Sequence, residues 1–243
     1  MKRLRLSSAV VWRGASLIDR SPIAAVVTGL GKPSQNVKTG AMAQLWIIRA
    51  DAHPVEAART GADRAICGDC PARALLGGWC YVELGKAPAA VYRKLAAGGY
   101  PEADPVEVAR LSPYPIRLGA YGDPVAVPVG VLRDLCSSPH GWTGYTHQWR
   151  TRRAQRYRPW IMASCDTEAD RVEAEALGWR AYTLDDGSPE AEAGAVLCPH
   201  YSHGTTCARC GLCSGTSSGA RSVRAPAHGA RRHRAAVYQG VGL

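Results

Sequence analysis

The stretch CPHYSHGTTCARCGLC, residues 198–213, limits what this chain can fold into more than any other part of it. Cys198 is followed after eight residues by Cys207, and Cys210 and Cys213 follow at two-residue intervals. A two-residue gap is a short loop that turns both sulfurs inward, so four thiolates can wrap one ion or cluster. The close run Cys207, Cys210, Cys213 favours a 4Fe-4S cluster over zinc, because structural zinc sites more often take two separated pairs. Gly211 supplies the tight turn between thiolates. His200 and His203 sit in the same loop, where they are read as solvated or as a substitute for one thiolate. Free thiols in a flexible tail are the plain alternative, which the spacing disfavours.

A second group, ICGDCPARALLGGWCY, carries Cys67, Cys70 and Cys80. Three thiolates leave a coordination position open, which is what a reactive centre has and a purely structural one lacks. The competing reading completes the set with Cys165 or His147 and makes it a structural zinc site. Nine cysteines is an odd number, and the start MKRLRLSSAVVW has no apolar run long enough for an export signal, so metal ligation outweighs a disulfide framework. No stretch approaches the ~20 apolar residues of a membrane span. The expectation is a soluble, cytoplasmic protein.

With 243 residues, one main domain is the default. Residues 1–62 read as a β-rich segment, with a hairpin from Ile23–Leu30 and Ala43–Ala50 around the turn-like GKPSQNVKTG, then a helix over His53–Ala62 with Asp51 near its N-cap. Residues 63–197 read as a parallel α/β core. Its expected strands are Trp79–Leu84, Ile116–Ala120, Gly144–Gln148, Trp160–Ser164 and Arg180–Leu184, with helices over Pro88–Ala97, Pro128–Cys136 and from Asp166 or Thr167 to Gly178. The fold class is therefore α/β with a mainly parallel sheet, open or curled into a partial (βα) barrel. Residues 198–213 form the four-cysteine metal-binding segment, and residues 214–243 a disordered basic tail.

In parallel α/β proteins functional residues gather at the carboxyl ends of strands. Three polar residues fall there and are the candidate catalytic groups, for positioning or proton transfer: Asp123 after Ile116–Ala120, His147 in GYTHQW, and Asp166 after WIMASC. They should converge on one concave face with the loop bearing Cys67, Cys70 and Cys80, and Cys198 should reach the same rim. Each has an ordinary alternative: Asp123 as an Asp-Pro turn, His147 as a satisfied buried histidine, Asp166 as a helix N-cap.

The formal charge is +10, and Arg outnumbers Lys by 25 to 5, a skew that reads as genomic base composition before it reads as selection. Arg150, Arg152, Arg153, Arg156 and Arg158 are interleaved with Trp149, Tyr157 and Trp160, a mixture that suits nucleic acid. Arg221, Arg224, Arg231, Arg232 and Arg234 lie in a tail without acidic side chains and add to phosphate-backbone attraction. A solvated loop is the commoner explanation in so Arg-rich a chain.

Taken in order, ICGDCP, WCYV, RLGAYGDPVAVP, GYTHQW, MASCDTEADRVEAEALGWRAY and CPHYSHGTTCARCGLC resemble a family of uncharacterised bacteriophage-encoded cysteine-rich proteins, over about residues 10–215. More distantly, cysteine-rich loops at the mouth of a parallel (βα) barrel resemble the radical S-adenosylmethionine (radical-SAM) proteins and phage proteins similar to them. That resemblance implies a cluster and S-adenosylmethionine as cofactors. This chain has Cys67-x2-Cys70-x9-Cys80 in place of the superfamily's Cys-x3-Cys-x2-Cys, and no glycine-rich stretch marks a binding site for that cofactor. The leading expectation is a phage-type metalloprotein with an iron-sulfur or zinc centre and a radical-SAM-like enzymatic role, in the cytoplasm of a host bacterium. Its rivals are a zinc-stabilised nucleic-acid-binding module and a phage accessory protein that binds a host protein.

Overall fold

In the computed structural model, which describes residues 6–229 and 231–239, three apolar runs open the fold as strands β1 (Ser8–Ala15), β2 (Pro22–Thr28) and β3 (Ala43–Arg49). They pair antiparallel in sequence order. Ile23 to Val27 are at most 1 % exposed, which is why this strand is a continuous apolar run without polar alternation. Helices α1 (Pro54–Thr60), α2 (Arg64–Cys67), α3 (Ala87–Ala96) and α4 (Pro105–Leu111) separate β3 from β4 (Ile116–Tyr121). The chain continues through α5 (Val129–Leu135), β5 (Trp142–Thr146), β6 (Met162–Cys165), α6 (Glu168–Ala176), β7 (Ala181–Leu184), α7 (Pro189–Gly194) and β8 (Val196–Leu197). Helices α8 (Pro199–His203) and α9 (Cys207–Cys210), strand β9 (Val223–Ala225) and helix α10 (Arg232–Gln239) complete it.

The nine strands make one sheet in the order β1-β2-β3-β4-β5-β6-β7-β9-β8, parallel from β3 onward. The fold is thus α/β and mainly parallel, as the alternation of strand and helix signals predicts. Among the described residues the sheet is open, with β1 and β8 at its edges, and no barrel closes. Among the described residues no helix is long and apolar enough to cross a membrane.

Side chains alternate over the first half of β4, up to a bulge around Gly119, which has φ +77°. Ile116 and Leu118 point into the main core, each at most 1 % exposed, together with Leu132 and Leu135 of α5. Burying each such side chain contributes about 1.5–3 kcal/mol before entropy is charged. Arg117, Gly119 and Tyr121 face the other way, into a cavity. Thr143 and Tyr145 of β5, Ser164 of β6, and Tyr182 and Leu184 of β7 repeat the pattern.

Several expected elements are corrected. The segment Trp79–Leu84 is not a strand but a loop over the cavity. Its entry is folded back on itself: Cys80 N–H donates to Ala72 O at 3.0 Å, and a Cβ on Gly78 would lie 2.2 Å from the Ala72 carbonyl carbon. Helix α1 is capped by His53, whose Nδ1 accepts the Val55 N–H at 3.4 Å, whereas Asp51 pairs with Arg49 at 2.8 Å. The N-terminal segment is β-rich as expected, holding β1, β2 and β3, and it joins the sheet of the core through the parallel pairing of β3 with β4.

The tail after Cys213 is not disordered throughout. Its strand β9 inserts between β7 and β8, with Val223 and Ala225 fully buried. Arg224 pairs there with Asp185 at 2.5 Å, so an arginine assigned to a free basic tail is a sheet residue. The basic start of the chain, Lys2, Arg3 and Arg5, and the last four residues lie outside the described residues.

Candidate functional site

The cavity on the polar face of β4–β7 has a volume of about 310 Å³. Cys67, Cys70, Cys80, Asp123, His147 and Asp166 all line it. Parallel strands bring their carboxyl ends to one edge, so residues far apart in sequence meet there.

Asp123 follows β4, is 7 % exposed, and spends both oxygens on positioning. One accepts the Val125 N–H at 2.9 Å and caps the 3-10 turn Pro124–Ala126. The other accepts the Thr146 hydroxyl at 3.0 Å and the His147 N–H at 2.9 Å, tying the end of β4 to the end of β5. Burial lifts its pKa above the usual carboxylate range, against the lowering effect of these donors. The Asp-Pro turn is therefore real, and it is also what places His147.

His147 Nε2 lies 3.4 Å from Asp166, and its ring is within hydrogen-bonding reach of the Cys70 thiol. Burial opposes the charged ring, yet Cys70 and Asp166 together carry its pKa well above the ordinary value. Asp166 is not the N-cap of α6. Thr167 holds that position in a reciprocal capping box, its hydroxyl accepting the Asp170 N–H at 3.1 Å while the Asp170 carboxylate accepts the Thr167 N–H at 3.0 Å.

The cysteine loop is built on a buried ion pair. Arg73 contacts Asp63 at 2.6 Å, with side chains 8 % and 5 % exposed, and also donates to Gly68 O at 3.2 Å and Gly61 O at 2.8 Å. Gly68, between Cys67 and Cys70, has φ +57°, and a Cβ there would stand 2.3 Å from the Gln148 side chain. Gln148 in turn donates to Cys67 O at 3.1 Å, linking the loop to the residue after His147. Burial pushes the thiols of Cys67 and Cys80 above their ordinary pKa, and the neighbouring sulfurs push in the same direction. A bound cation reverses this, since a coordinating thiol is deprotonated outright.

Cys198, expected on the same rim, lines instead a second, much smaller cavity of about 20 Å³ together with Cys207, Cys210 and Cys213. Cys207 and Cys210 are the ends of α9, and Gly211 closes it in the left-handed conformation. The segment is docked rather than free: Cys207 N–H donates to Lys38 O at 3.0 Å, Ala208 N–H to Thr39 O at 2.9 Å, and Gly144 N–H to Cys213 O at 3.0 Å. Arg180 braces it from below, donating to Leu212 O at 2.8 Å and Gly215 O at 2.7 Å. His200 lines the same cavity, and its Nδ1 is buried without a hydrogen-bond partner. Burial pushes the Cys213 thiol up to about 12, against the lowering effect of the neighbouring Tyr145 hydroxyl.

All nine cysteines are free thiols. Among the described residues no three His, Cys, Asp or Glu side chains are grouped tightly enough to close on a metal ion. Each cysteine set surrounds a space, and the donor chemistry in both is that of soft-metal sites. Cys165 and Cys136 are buried, which raises the pKa of each.

The reading from sequence missed Arg117, Tyr121, Tyr145, Tyr182, Lys38 and Tyr81, all of which line the larger cavity. The signal for four of them lies in the strands. A parallel strand covered on both faces reads as continuous apolar sequence, and Arg117, Tyr121, Tyr145 and Tyr182 interrupt that at a period of two. Lys38 and Tyr81 lie in loops and give no such signal.

The arginine run is less open than its composition implies. Trp149 and Tyr157 are each 1 % exposed, and Arg150 is held by Asp170 at 2.6 Å and Glu173 at 2.5 Å. Arg158 donates to Leu177 O at 2.6 Å, so that Arg152, Arg153 and Arg156 are the exposed members beside the exposed but ion-paired Arg150.

No family model, no curated protein and no solved structure matches this chain.

Proposed function

We propose that this chain is a metal-dependent enzyme whose active site is the 310 Å³ cavity, with an iron-sulfur centre on Cys67, Cys70 and Cys80 at its carboxyl-edge end. The observation that carries this reading is the meeting of three thiols with Asp123, His147 and Asp166 around a single cavity. Cys67, Cys70 and Cys80 would hold a 4Fe-4S cluster with one iron left without a protein ligand, and the cluster would supply one-electron chemistry in the cavity. A radical-SAM-like role follows if S-adenosylmethionine fills the open position on that iron.

The residues of the chain do the rest. Asp123 fixes the turn that carries His147. His147, backed by Asp166, holds or moves a proton at Nε2 on the cavity wall beside the cluster end. Cys198, Cys207, Cys210 and Cys213 would hold a second centre behind Tyr145 and Tyr182, whose rings are 4.7 Å apart.

One observation favours a second reading. His147 stands against Cys70 with a carboxylate behind it, the arrangement of a metal-ligating histidine oriented from its outer shell. Cys67, Cys70, Cys80 and His147 would then close a structural zinc site, and the arginines would serve nucleic acid.

The test is electron paramagnetic resonance of the reduced, anaerobically purified protein, with and without S-adenosylmethionine. A cluster signal that the cofactor perturbs, and that the variant Cys67→Ser/Cys70→Ser/Cys80→Ser lacks, supports the enzyme. A colourless protein with one zinc per three-cysteine site ends that reading in favour of the binding module.

A further inference from the structure

We propose that the end of the cavity lined by Arg117 and Lys38 is an anion site, in which these two side chains receive a carboxylate or phosphate group of the substrate. This rests on reading the cavity as the active site.

Arg117 and Asp123 both line the cavity from β4 and the turn after it. They are six residues apart, and the bulge that sets Arg117 opposite Gln44 but Tyr121 opposite Trp46 shortens the span between them to roughly 10–13 Å. The cavity therefore has a carboxyl-edge end, with the cysteines and acids, and an opposite end. Gly119 lies between and carries no side chain to divide them.

Among the described residues the opposite end is cationic without a paired carboxylate. Arg117 donates to the Tyr81 hydroxyl, and its guanidinium lies 5.7 Å from that ring centroid. Lys38 Nζ donates to the hydroxyls of Tyr182 and Tyr201, each at 3.3 Å. Among the described residues neither cation forms an ion pair with a carboxylate. A guanidinium turned into a cavity with only phenols for partners is costly to hold unless an anion joins it, and its planar fork matches the oxygens of carboxylate and phosphate.

The phenols are arranged for the same purpose. Tyr81 and Tyr182 each accept an N–H from a cation, so the O–H proton of each is left to donate to a ligand. His228, also in the lining, records the local field: burial first, then the positive charges of Lys38 and Arg117, bring its pKa down to about 4.

Arg117 has one competing role, since Cys207 also lines this cavity and a metal-bound thiolate there would attract it. The experiment separates the two. Inorganic phosphate and succinate are titrated calorimetrically, at low salt, into the full chain as purified, with its metal content recorded. Because binding is read directly, the result stands whichever metal the cysteines hold, and it fails independently of the cluster. We expect saturable binding of at least one probe, and the preferred probe names the anion. Arg117→Ala and Lys38→Gln should each weaken binding about tenfold or more, the loss expected for a hydrogen bond to a charged group. Tyr81→Phe should weaken it less. If Arg117→Ala does not fold, as judged by circular dichroism, Lys38→Gln and Tyr81→Phe decide. Absence of binding, or equal binding by wild type and variants, overturns the proposal. So does an Arg117→Ala protein that binds phosphate normally but loses metal from the Cys207 set.

Discussion

His147 Nε2 faces the Asp166 carboxylate at 3.4 Å across the ends of β5 and β6, while the same imidazole reaches the Cys70 thiol. This one contact separates the two metal readings. If the three cysteines hold an open cluster, His147→Ala leaves the iron content of the anaerobic protein unchanged and removes activity. If His147 is the fourth ligand of a zinc ion, the substitution lowers metal affinity by 10-fold or more, and Asp166→Asn lowers it about 10- to 100-fold. Metal analysis after dialysis against a weak chelator reads the difference.

The Asp63–Arg73 pair fixes the cysteine loop, and its side chains are 5 % and 8 % exposed. Removing one partner leaves an uncompensated buried charge and costs about 3–5 kcal/mol. Asp63→Ala and Arg73→Ala should both destabilise by that order in urea unfolding. Asp63→Leu/Arg73→Met should recover much of the loss. Equal destabilisation by the double and single variants would contradict the assignment.

The low pKa of His228, about 4 against an ordinary 6.5, comes from burial, then Lys38 and Arg117, with His200 adding to them and the Pro226 carbonyl opposing. The Tyr81 ring packs on it at 5.0 Å. A histidine with a depressed folded-state pKa stays neutral where the unfolded chain takes up a proton. Its contribution is therefore intact above about pH 6.5 and is lost as pH falls from 6.5 towards 4. Unfolding midpoints at pH 7, 5 and 4 should fall less for His228→Gln than for wild type. Parallel curves would refute the depressed pKa.

Nucleic acid offers a check on the rival reading. With Trp149 and Tyr157 buried, stacking from this segment is limited to the half-buried Trp160. Single-stranded DNA affinity should be weak at physiological salt and little altered by Arg152→Ala/Arg153→Ala/Arg156→Ala. Tight binding whose salt slope flattens in that variant would restore the nucleic-acid-binding module.

The sheet class was readable because β2 is an unbroken apolar run and α5 carries its helical period openly, and helix signals between strands imply parallel neighbours. The strand β9 was not: VRA is three residues inside a Gly/Ser/Arg stretch, and its pairing with β7 and β8 is a tertiary event without local pattern. The segment WCYVEL carries strand propensity, yet the Ala72–Cys80 hydrogen bond and the tight approach of Gly78 keep it a loop. For the site, carboxyl-end logic reaches Asp123, His147 and Asp166 because it depends only on strand direction. It does not reach Lys38 or Tyr81, which are delivered by loops. Nor does it separate the two cysteine sets, since which side of Tyr145 and Tyr182 each lies on is fixed by packing.

The proposed function requires both cysteine sets to bind metal, with iron on the Cys67 set at the cavity. Iron, zinc and acid-labile sulfide should be measured, with the visible spectrum, in anaerobically purified wild type, Cys67→Ser/Cys70→Ser/Cys80→Ser and Cys207→Ser/Cys210→Ser. The account predicts brown wild-type protein, loss of one centre's iron and sulfide in the first variant, and loss of a different metal equivalent in the second. Structural metal in small domains contributes about 10–16 kcal/mol of apparent binding free energy, so the second variant should also unfold the segment around α9. Wild-type protein carrying neither iron nor zinc, with unchanged stability in both variants, would contradict it.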